Sequence, residues 1–181
     1  KLHQSVKNKQ ERVEIDDRIA SINYTYRGYG YPLGAMVPHA QYIMGAEVLE
    51  AGVQLKKEER LLVILPMQHI FTLIGCVFLP LLYHITSVIS HQRNPLRLFE
   101  YIQKFKINHI LAVPELYDLF LKLNNKTNDL STLNAFLSGG SVLPEKNYAN
   151  LMDTFKVDLI HGYGLTEFTP VSRNIRGEVR P

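Results

Sequence analysis

Two glycine-rich turns, each preceded by a short apolar run and separated by one helix length, constrain the fold of this chain most. The apolar runs at residues 134–137 and 157–160 have the length and composition of buried strands. Between them, residues 145–155 have helical composition and follow Pro144, in the position where proline favours the start of a helix. The sequence therefore predicts a strand–helix–strand unit in which the two strands run parallel.

Four further apolar runs extend this pattern towards the amino terminus, and helical stretches separate them. They occupy residues 19–24, 61–65, 85–89 and 110–113. Strands that alternate with helices predict an α/β fold, with a parallel sheet and flanking helices. The helical stretches carry apolar stripes that we interpret as core faces: Ile43, Ala46, Leu49 and Val53; Leu98, Ile102 and Phe105; Leu116, Leu119, Phe120 and Leu123.

Length and charge limit the classes of protein that this chain can represent. Its 181 residues correspond to about one domain, with residues 1–18 forming a polar segment before the α/β unit at 19–181. The net charge of +3 comes from scattered basic residues, which argues against a nucleic-acid partner. No apolar run is long enough for a transmembrane segment, so we expect a cytoplasmic protein. The single cysteine, Cys76, is expected to be a buried apolar residue.

The two turns carry groups that suit a nucleotide. Residues 138–141 and 162–167 would lie at the carboxyl ends of parallel strands, where open α/β sheets bind ligands. Glycine there lets a ligand approach the backbone closely. Tyr163, Thr166 and Glu167 offer an aromatic plate, a hydroxyl and a carboxylate, which suit a nucleobase, a phosphate and a hard cation. A single G-x-G is more often only a turn, so the neighbouring positions decide the interpretation.

The run GYGLTE at 162–167, with SGGSVLP upstream at 138–144, resembles the adenylate-forming (AMP-binding) superfamily, especially acyl-CoA synthetases such as long-chain fatty-acid–CoA ligases. The resemblance implies that Tyr163 stacks on adenine, that Thr166 binds the AMP phosphate, and that Glu167 holds Mg²⁺. It makes Thr166 and Glu167 the expected catalytic residues. It also implies further nucleotide-binding positions at Gly139, Gly140, Ser141, Gly162 and Gly164.

The segment YTYRGYGYPLG at 24–34 is similar to the phosphate loop of the same family, Y-T-S-G-T-T-G-x-P-K-G, but only its frame matches. The resemblance assigns ATP phosphates to Thr25, Arg27, Gly28 and Gly30. Bulky tyrosines replace small residues, and Leu33 replaces the lysine. Arg27 could restore the lost charge through bidentate hydrogen bonds. Alternatively, the loop is structural and its tyrosines pack over the end of the sheet.

His69, in LPMQHIF at 65–71, resembles a family position that lines the pocket for the carboxylate substrate. The resemblance places Gly139 and Gly164 in the same pocket, although a histidine beside apolar residues is more often structural. No acidic residue occurs between Leu61 and Leu98, which disfavours an amine-bearing substrate. The apolar helix predicted at 71–78 would line a hydrophobic pocket, as expected for a fatty or aryl acid.

The resemblance implies a two-step reaction. A carboxylate attacks the α-phosphorus of ATP to form an acyl-adenylate and pyrophosphate, and a thiol such as coenzyme A then displaces AMP. The chain is expected to be a fragment of the large N-terminal domain, to need the remaining subdomains and a C-terminal lid as partners, and to be inactive alone. The alternatives are a nucleotide or acyl-adenylate binding module without turnover, and an interaction scaffold. Arg173, Arg176 and Arg180 could contact phosphates or could be solvent-exposed.

Overall fold

The body of the protein is a mostly parallel sheet with helices on both faces. The computed structural model describes residues 19–25, 30–90, 95–125 and 128–174. The strands are β1 Ile19–Tyr24, β2 Gly34–Pro38, β3 Arg60–Val63, β4 Thr86–Ile89, β5 His109–Ala112, β6 Ala135–Ser138, β7 Asp158–Tyr163 and β8 Ser172–Arg173. The helices are α1 His39–Val53, α2 Ile70–Leu73, α3 Leu79–Tyr83, α4 Pro95–Phe105, α5 Pro114–Leu123 and α6 Glu145–Phe155, with a π-helical segment Ile74–Phe78 joining α2 to α3.

Six strands form the main sheet in the order β4-β3-β5-β6-β7-β8. The first five run parallel to one another, and β8 alone is antiparallel to its neighbour β7. Residues in register across the centre, such as Ile110, Phe136 and Leu159, are buried. The predicted α/β fold and the strand–helix–strand unit from β6 to β7 are therefore confirmed, including the helix that begins directly after Pro144.

The strand predicted at residues 19–24 exists, but its place in the parallel sheet was wrong. β1 pairs antiparallel with β2 in a separate two-stranded sheet. The connecting residues 25–33 are too few for a parallel crossover, which needs about a dozen residues. The alternating exposure along β1, where Ile22 and Tyr24 point to solvent, is typical of a strand covered on one face only. β2 was not predicted.

The two faces of the sheet carry separate apolar cores. One lies under α4, α5 and α6, and the other under α1 and the helical segment 70–83. In the first core, Phe136 packs between Tyr117 and Phe155, with ring centroids 4.7 and 5.3 Å away. Of the predicted stripes, Ala46, Leu49, Val53, Leu98, Ile102 and Phe120 are buried as expected, whereas Ile43 is 38 % exposed. The structure also buries Tyr117, which the predicted stripes did not include.

Cys76 lies inside the second core, as predicted. Burial raises the pKa of its thiol to about 12, so the thiol stays protonated at neutral pH and does not act as a nucleophile. Its π-helical segment belongs to the apolar stretch 70–83. Within the described part of the chain, no helix combines the length and hydropathy needed to cross a membrane.

A buried polar cluster joins the amino ends of the strands, at the edge opposite the glycine turns. Glu59 Oε2 lies 2.8 Å from His109 Nε2 and accepts a hydrogen bond from the backbone N–H of Lys56 at 2.7 Å. Asn134 donates to the other carboxylate oxygen at 2.7 Å. Burial by itself raises the pKa of Glu59, but these hydrogen bonds outweigh it and bring the pKa below its ordinary value.

We expect Glu59→Gln to lower the free energy of unfolding at pH 7 by about 1–3 kcal/mol, because it removes a charged, buried acceptor. A carboxylate whose pKa is lower in the folded than in the unfolded state stabilises the fold above the unfolded-state pKa of about 4.3. That contribution is lost as the pH falls through the folded-state value. Urea titrations between pH 7 and 3 should show the two proteins converging in acid. A constant difference across that range would contradict this assignment.

Candidate functional site

A cavity of about 250 Å³ opens at the carboxyl ends of β6 and β7, where the sequence predicts a site. The turn after β6 and the end of β7 line it. The structure brings most of the predicted nucleotide and substrate residues to this first cavity: His69, Gly139, Gly140, Gly162, Tyr163, Gly164 and Thr166. Residues more than ninety positions apart in sequence therefore meet at one edge of the sheet.

The turn after β6 requires glycine for two reasons. Gly140 has a φ of +90°, in the left-handed region that residues with a Cβ rarely adopt. A Cβ on Gly139 would lie 3.1 Å from the Phe71 ring and 3.3 Å from the carbonyl oxygen of Gly162. The two glycine turns thus approach each other closely, and this approach leaves backbone rather than side chains at the cavity.

The second glycine turn leads into a short strand, β8. After β7 the chain folds back as β8, and the Val171 N–H donates to the Tyr163 carbonyl oxygen at 2.8 Å. Between the strands, the Thr169 hydroxyl donates to the Leu165 carbonyl oxygen at 2.8 Å. A Cβ on Gly164 would overlap the Thr169 side chain. The residues 164–169 therefore form a tightly closed loop over the cavity.

Helix α1 supports this loop from below. Gln41, which is buried, donates from Nε2 to the Thr169 carbonyl oxygen at 3.3 Å. A Cβ on Gly45 would lie 2.7 Å from the same oxygen, so the helix backbone packs directly against the loop. Neither residue carries a motif, and the sequence offered no signal for this support, because the contacting residues lie far apart along the chain.

Tyr163 lies between the first cavity and a second one of about 530 Å³. Its side chain is 58 % exposed, so one face of the ring is available to a ligand. Ser141 lines the second cavity only, and its hydroxyl donates to Glu115 at 2.9 Å. His161 also lines it, and burial lowers the pKa of this histidine, which favours the neutral imidazole.

Asn174 was not predicted, although it positions the end of β7 beside the second cavity. Its Oδ1 accepts a hydrogen bond from the His161 N–H at 2.6 Å, and its Nδ2 donates to the Tyr148 hydroxyl at 2.9 Å and to the Leu159 carbonyl oxygen at 3.0 Å. A lone asparagine after a short strand has no sequence pattern that would identify such a role.

His69 stands at the start of α2, and its side chain is exposed at the first cavity. Its carbonyl oxygen accepts the Leu73 N–H at 2.8 Å, which orients the helix start. Ile70 and Phe71 follow it along the cavity wall. The remainder of the predicted pocket helix at 71–78 does not line this cavity, because the segment turns into the second core.

Of the segment 24–34, the structure describes residues 24–25 and 30–34. Tyr24 lines the first cavity, whereas Thr25 and Gly30 do not. Thr25 instead closes the base of the loop, since its N–H donates to the Leu33 carbonyl oxygen at 2.8 Å. Gly30 is exposed with a φ of +81°. The predicted phosphate ligands Arg27 and Gly28 lie outside the described residues.

The predicted metal ligand stands apart from other ligand side chains. Glu167 is exposed and lines neither cavity, although the adjacent Thr166 lines the first. Among the residues that the structure describes, no group of three or more His, Cys, Asp or Glu could hold a metal ion. A cation at Glu167 would therefore take its other ligands from water or from a bound nucleotide.

Arg173, which was not among the predicted site residues, contributes a positive charge to the site. It is half-buried and lines both cavities, and it is the only Lys, Arg, Asp or Glu among the described residues around the first. The sequence left open whether the arginines after Glu167 contact ligands or solvent. Arg176 and Arg180 lie outside the described residues.

Comparison with known sequences yields one family and a consistent group of relatives. Residues 2–181 match the family of AMP-binding enzymes. The chain is 29 % identical over 160 residues to a feruloyl-CoA synthase of an Amycolatopsis species and 27 % identical over 175 residues to a long-chain-fatty-acid–CoA ligase of Bacillus subtilis. These alignments cover 87 % and 91 % of the chain but 32 % and 31 % of the relatives. The chain thus spans about a third of the length of the curated relatives it matches.

A solved structure with the same fold is that of the anthranilate CoA ligase AuaEII in complex with anthranoyl-AMP. The TM-score is 0.80 at 25 % identity, over 90 % of this chain and 32 % of the ligase. That ligase therefore contains a portion with the same arrangement of sheet and helices.

Proposed function

Because this chain belongs to the AMP-binding enzyme family, we propose that it is part of an ATP-dependent acid–thiol ligase, which activates a fatty or aryl carboxylate as an acyl-adenylate and transfers it to coenzyme A. One observation carries the proposal. Tyr163, Thr166 and the Gly139–Gly140 turn, which the sequence motifs assign to a nucleotide, line one cavity together with His69.

The nucleotide would occupy the loops at the ends of β6 and β7. The exposed ring of Tyr163 offers a stacking surface for adenine, and the backbone at Gly139 can be approached closely. Thr166 would donate its hydroxyl to the α-phosphate. Thr25, Arg27, Gly28, Gly30, Ser141, Gly162 and Gly164 remain proposed nucleotide-binding positions.

The acid would enter the first cavity beside the nucleotide. Phe71, Leu137 and Ile160 give this cavity an apolar wall, which suits a fatty or aryl chain. His69, Gly139 and Gly164 would line the part nearest the reacting carboxylate. This arrangement supports a substrate whose carboxylate meets the α-phosphorus while its chain is buried.

Glu167 fits a magnesium ion in its chemistry. Mg²⁺ is commonly bound by one or two carboxylates, with water and substrate phosphates as its other ligands, so a single exposed glutamate beside Thr166 is sufficient. When bound, Mg²⁺ would offset negative charge on the phosphates. The residues of this chain would orient the phosphate through Thr166 and exclude water with the closed loop 164–169.

The proposed reaction has two steps. A carboxylate oxygen of the acid forms a bond to the α-phosphorus, and the bond from that phosphorus to the oxygen bridging to the β-phosphorus breaks, releasing pyrophosphate. The thiolate of coenzyme A then attacks the acyl carbon, and AMP leaves with the electron pair of the broken C–O bond. Catalysis of this kind depends on position and electrostatics.

We expect Tyr163→Ala and Thr166→Ala each to weaken AMP binding by about 5- to 150-fold, corresponding to about 1–3 kcal/mol for a lost stacking or hydrogen-bonding partner. Isothermal titration calorimetry with AMP measures this directly. Phe168→Ala and Thr154→Ala are matched controls, because both side chains are exposed and line neither cavity. Parental AMP affinity in both test variants would show that the site lies elsewhere.

A second candidate function is nucleotide or acyl-adenylate binding without turnover. The observation that favours it is Leu33, which is 51 % exposed in the position where the resembling motif has lysine. Pyrophosphate release by the complete protein, supplied with ATP, Mg²⁺, coenzyme A and medium-chain, long-chain or aryl acids, separates the two functions. AMP binding without any carboxylate-dependent release would favour the second. In either case we expect the 181-residue chain alone to be inactive.

A further inference from the structure

The guanidinium of Arg173 is held in a fixed position at the wall of the first cavity. Its Nε donates to the carbonyl oxygen of Val48 in α1 at 2.6 Å, and its Nη1 donates to the Asn174 carbonyl oxygen at 3.0 Å. A Cβ on Gly52 would lie 3.0 Å from the Arg173 Nε, so the guanidinium occupies space that this glycine leaves open. The side chain is therefore anchored between α1 and β8.

The charge of Arg173 has no counterion among the residues that the structure describes. No carboxylate of the described residues forms an ion pair with it, and both acceptors are neutral carbonyl groups. A guanidinium carries five N–H donors, of which these bonds use two. A guanidinium with unused donors can bind an anion, and the described residues around the cavity include no Asp or Glu that could occupy it.

Arg173 lies away from the expected reaction centre near Thr166. The loop 164–169 packs against Gly45 of α1 through Thr169, whereas Arg173 contacts Val48 and Gly52, three to seven residues further along the same helix. Arg173 lies in register with Gly162, whereas Tyr163 at the end of β7 pairs with Ser172. An acid whose reacting carboxylate lies near Thr166 would thus direct its other end towards Arg173.

We propose that Arg173 binds a second carboxylate at the far end of the acid, so that the substrate class of this site is a dicarboxylic acid activated at one end. This inference rests on the proposed function, because that function fixes where the first carboxylate reacts. The apolar wall between the two ends accommodates the carbon chain, and the anchored guanidinium recognises the distal carboxylate in a bidentate manner.

The test compares octanoate with octanedioate, two acids of equal chain length that differ in the distal carboxylate. With the complete protein, we expect kcat/KM for pyrophosphate release to favour octanedioate about 10- to 100-fold. Arg173→Met should abolish or invert this preference while leaving AMP affinity unchanged. Arg173→Lys, which keeps the charge without the bidentate geometry, should retain part of it. Calorimetric binding of both acids to the AMP-saturated protein gives the same comparison without turnover.

Several results would overturn the inference. Equal binding or use of octanoate and octanedioate by the wild-type protein would already contradict it. An equal loss for both acids in Arg173→Met, with a lowered melting temperature, would assign Arg173 a purely structural role. Loss of AMP affinity would assign its charge to the nucleotide. Absence of pyrophosphate release with every acid would contradict the proposed ligase function, while the binding comparison would still decide the role of Arg173.

Discussion

Gly164→Ala is expected to reduce adenylation by the complete protein about 100-fold while leaving its fold intact. The added Cβ would overlap the Thr169 side chain and lie 3.3 Å from the Thr169 Cα, so the loop 164–169 must move. Displacing groups around a reaction centre by about 1 Å can cost about 100-fold in rate. The relevant measurement is kcat/KM for carboxylate-dependent pyrophosphate release, with circular dichroism to verify folding.

A second substitution identifies the steric cause. Thr169→Ala removes the hydroxyl that the new Cβ would meet, at the cost of the hydrogen bond to the Leu165 carbonyl oxygen. The double variant Gly164→Ala/Thr169→Ala should therefore be more active than Gly164→Ala alone. Phe168→Ala, a truncation of an exposed side chain in the same loop that lines neither cavity, serves as the control. Activity of Gly164→Ala close to the parental value would contradict the tight loop closure described here.

Phe136→Ala is expected to lower the free energy of unfolding by about 3–5 kcal/mol, as other large-to-small substitutions of buried phenylalanine do. Phe136 is fully buried at the centre of β6, and its ring packs against the rings of Tyr117 and Phe155. Since domains are commonly stable by only about 5–15 kcal/mol, this loss should be visible in a urea titration as a large decrease in the unfolding midpoint.

The matched control is Phe168→Ala, the same truncation at a side chain that is 45 % exposed. It leaves no enclosed void, and we expect it to change the free energy of unfolding by less than about 1 kcal/mol. Equal effects of the two substitutions would mean that the aromatic cluster around Phe136 does not form the stabilising core of the sheet.

The main elements of the fold and of the site could be predicted because their signals are local. A buried parallel strand is a continuous apolar run, and a glycine turn after it marks the carboxyl end of that strand. This is why β3 to β7 were found, and why Gly139, Tyr163, Gly164 and Thr166 were expected at one place. The match over residues 2–181 confirms the family that these motifs indicated.

The errors lie where partners distant in the chain determine the structure. β1 was placed in the parallel sheet because its apolar content alone does not reveal which strand it pairs with. β2 and β8 are short and carry glycine, proline or polar residues, so neither has a strand-like pattern. The path of the chain after β7 is determined by the pairing of β7 with β8.

Sequence by itself determined the parallel sheet, its helices and the edge where the glycine turns meet, because strand length, apolar periodicity and glycine are properties of neighbouring residues. Only the tertiary structure decided that Arg173 lines the cavity while anchored to α1, and that Glu59 pairs with a buried histidine. These two features depend on the dielectric environment and the hydrogen-bond partners that folding creates. The residue type of a charged side chain does not reveal whether it lies in a solvated loop or in a cavity wall. Its environment depends on the residues that pack around it in the folded protein.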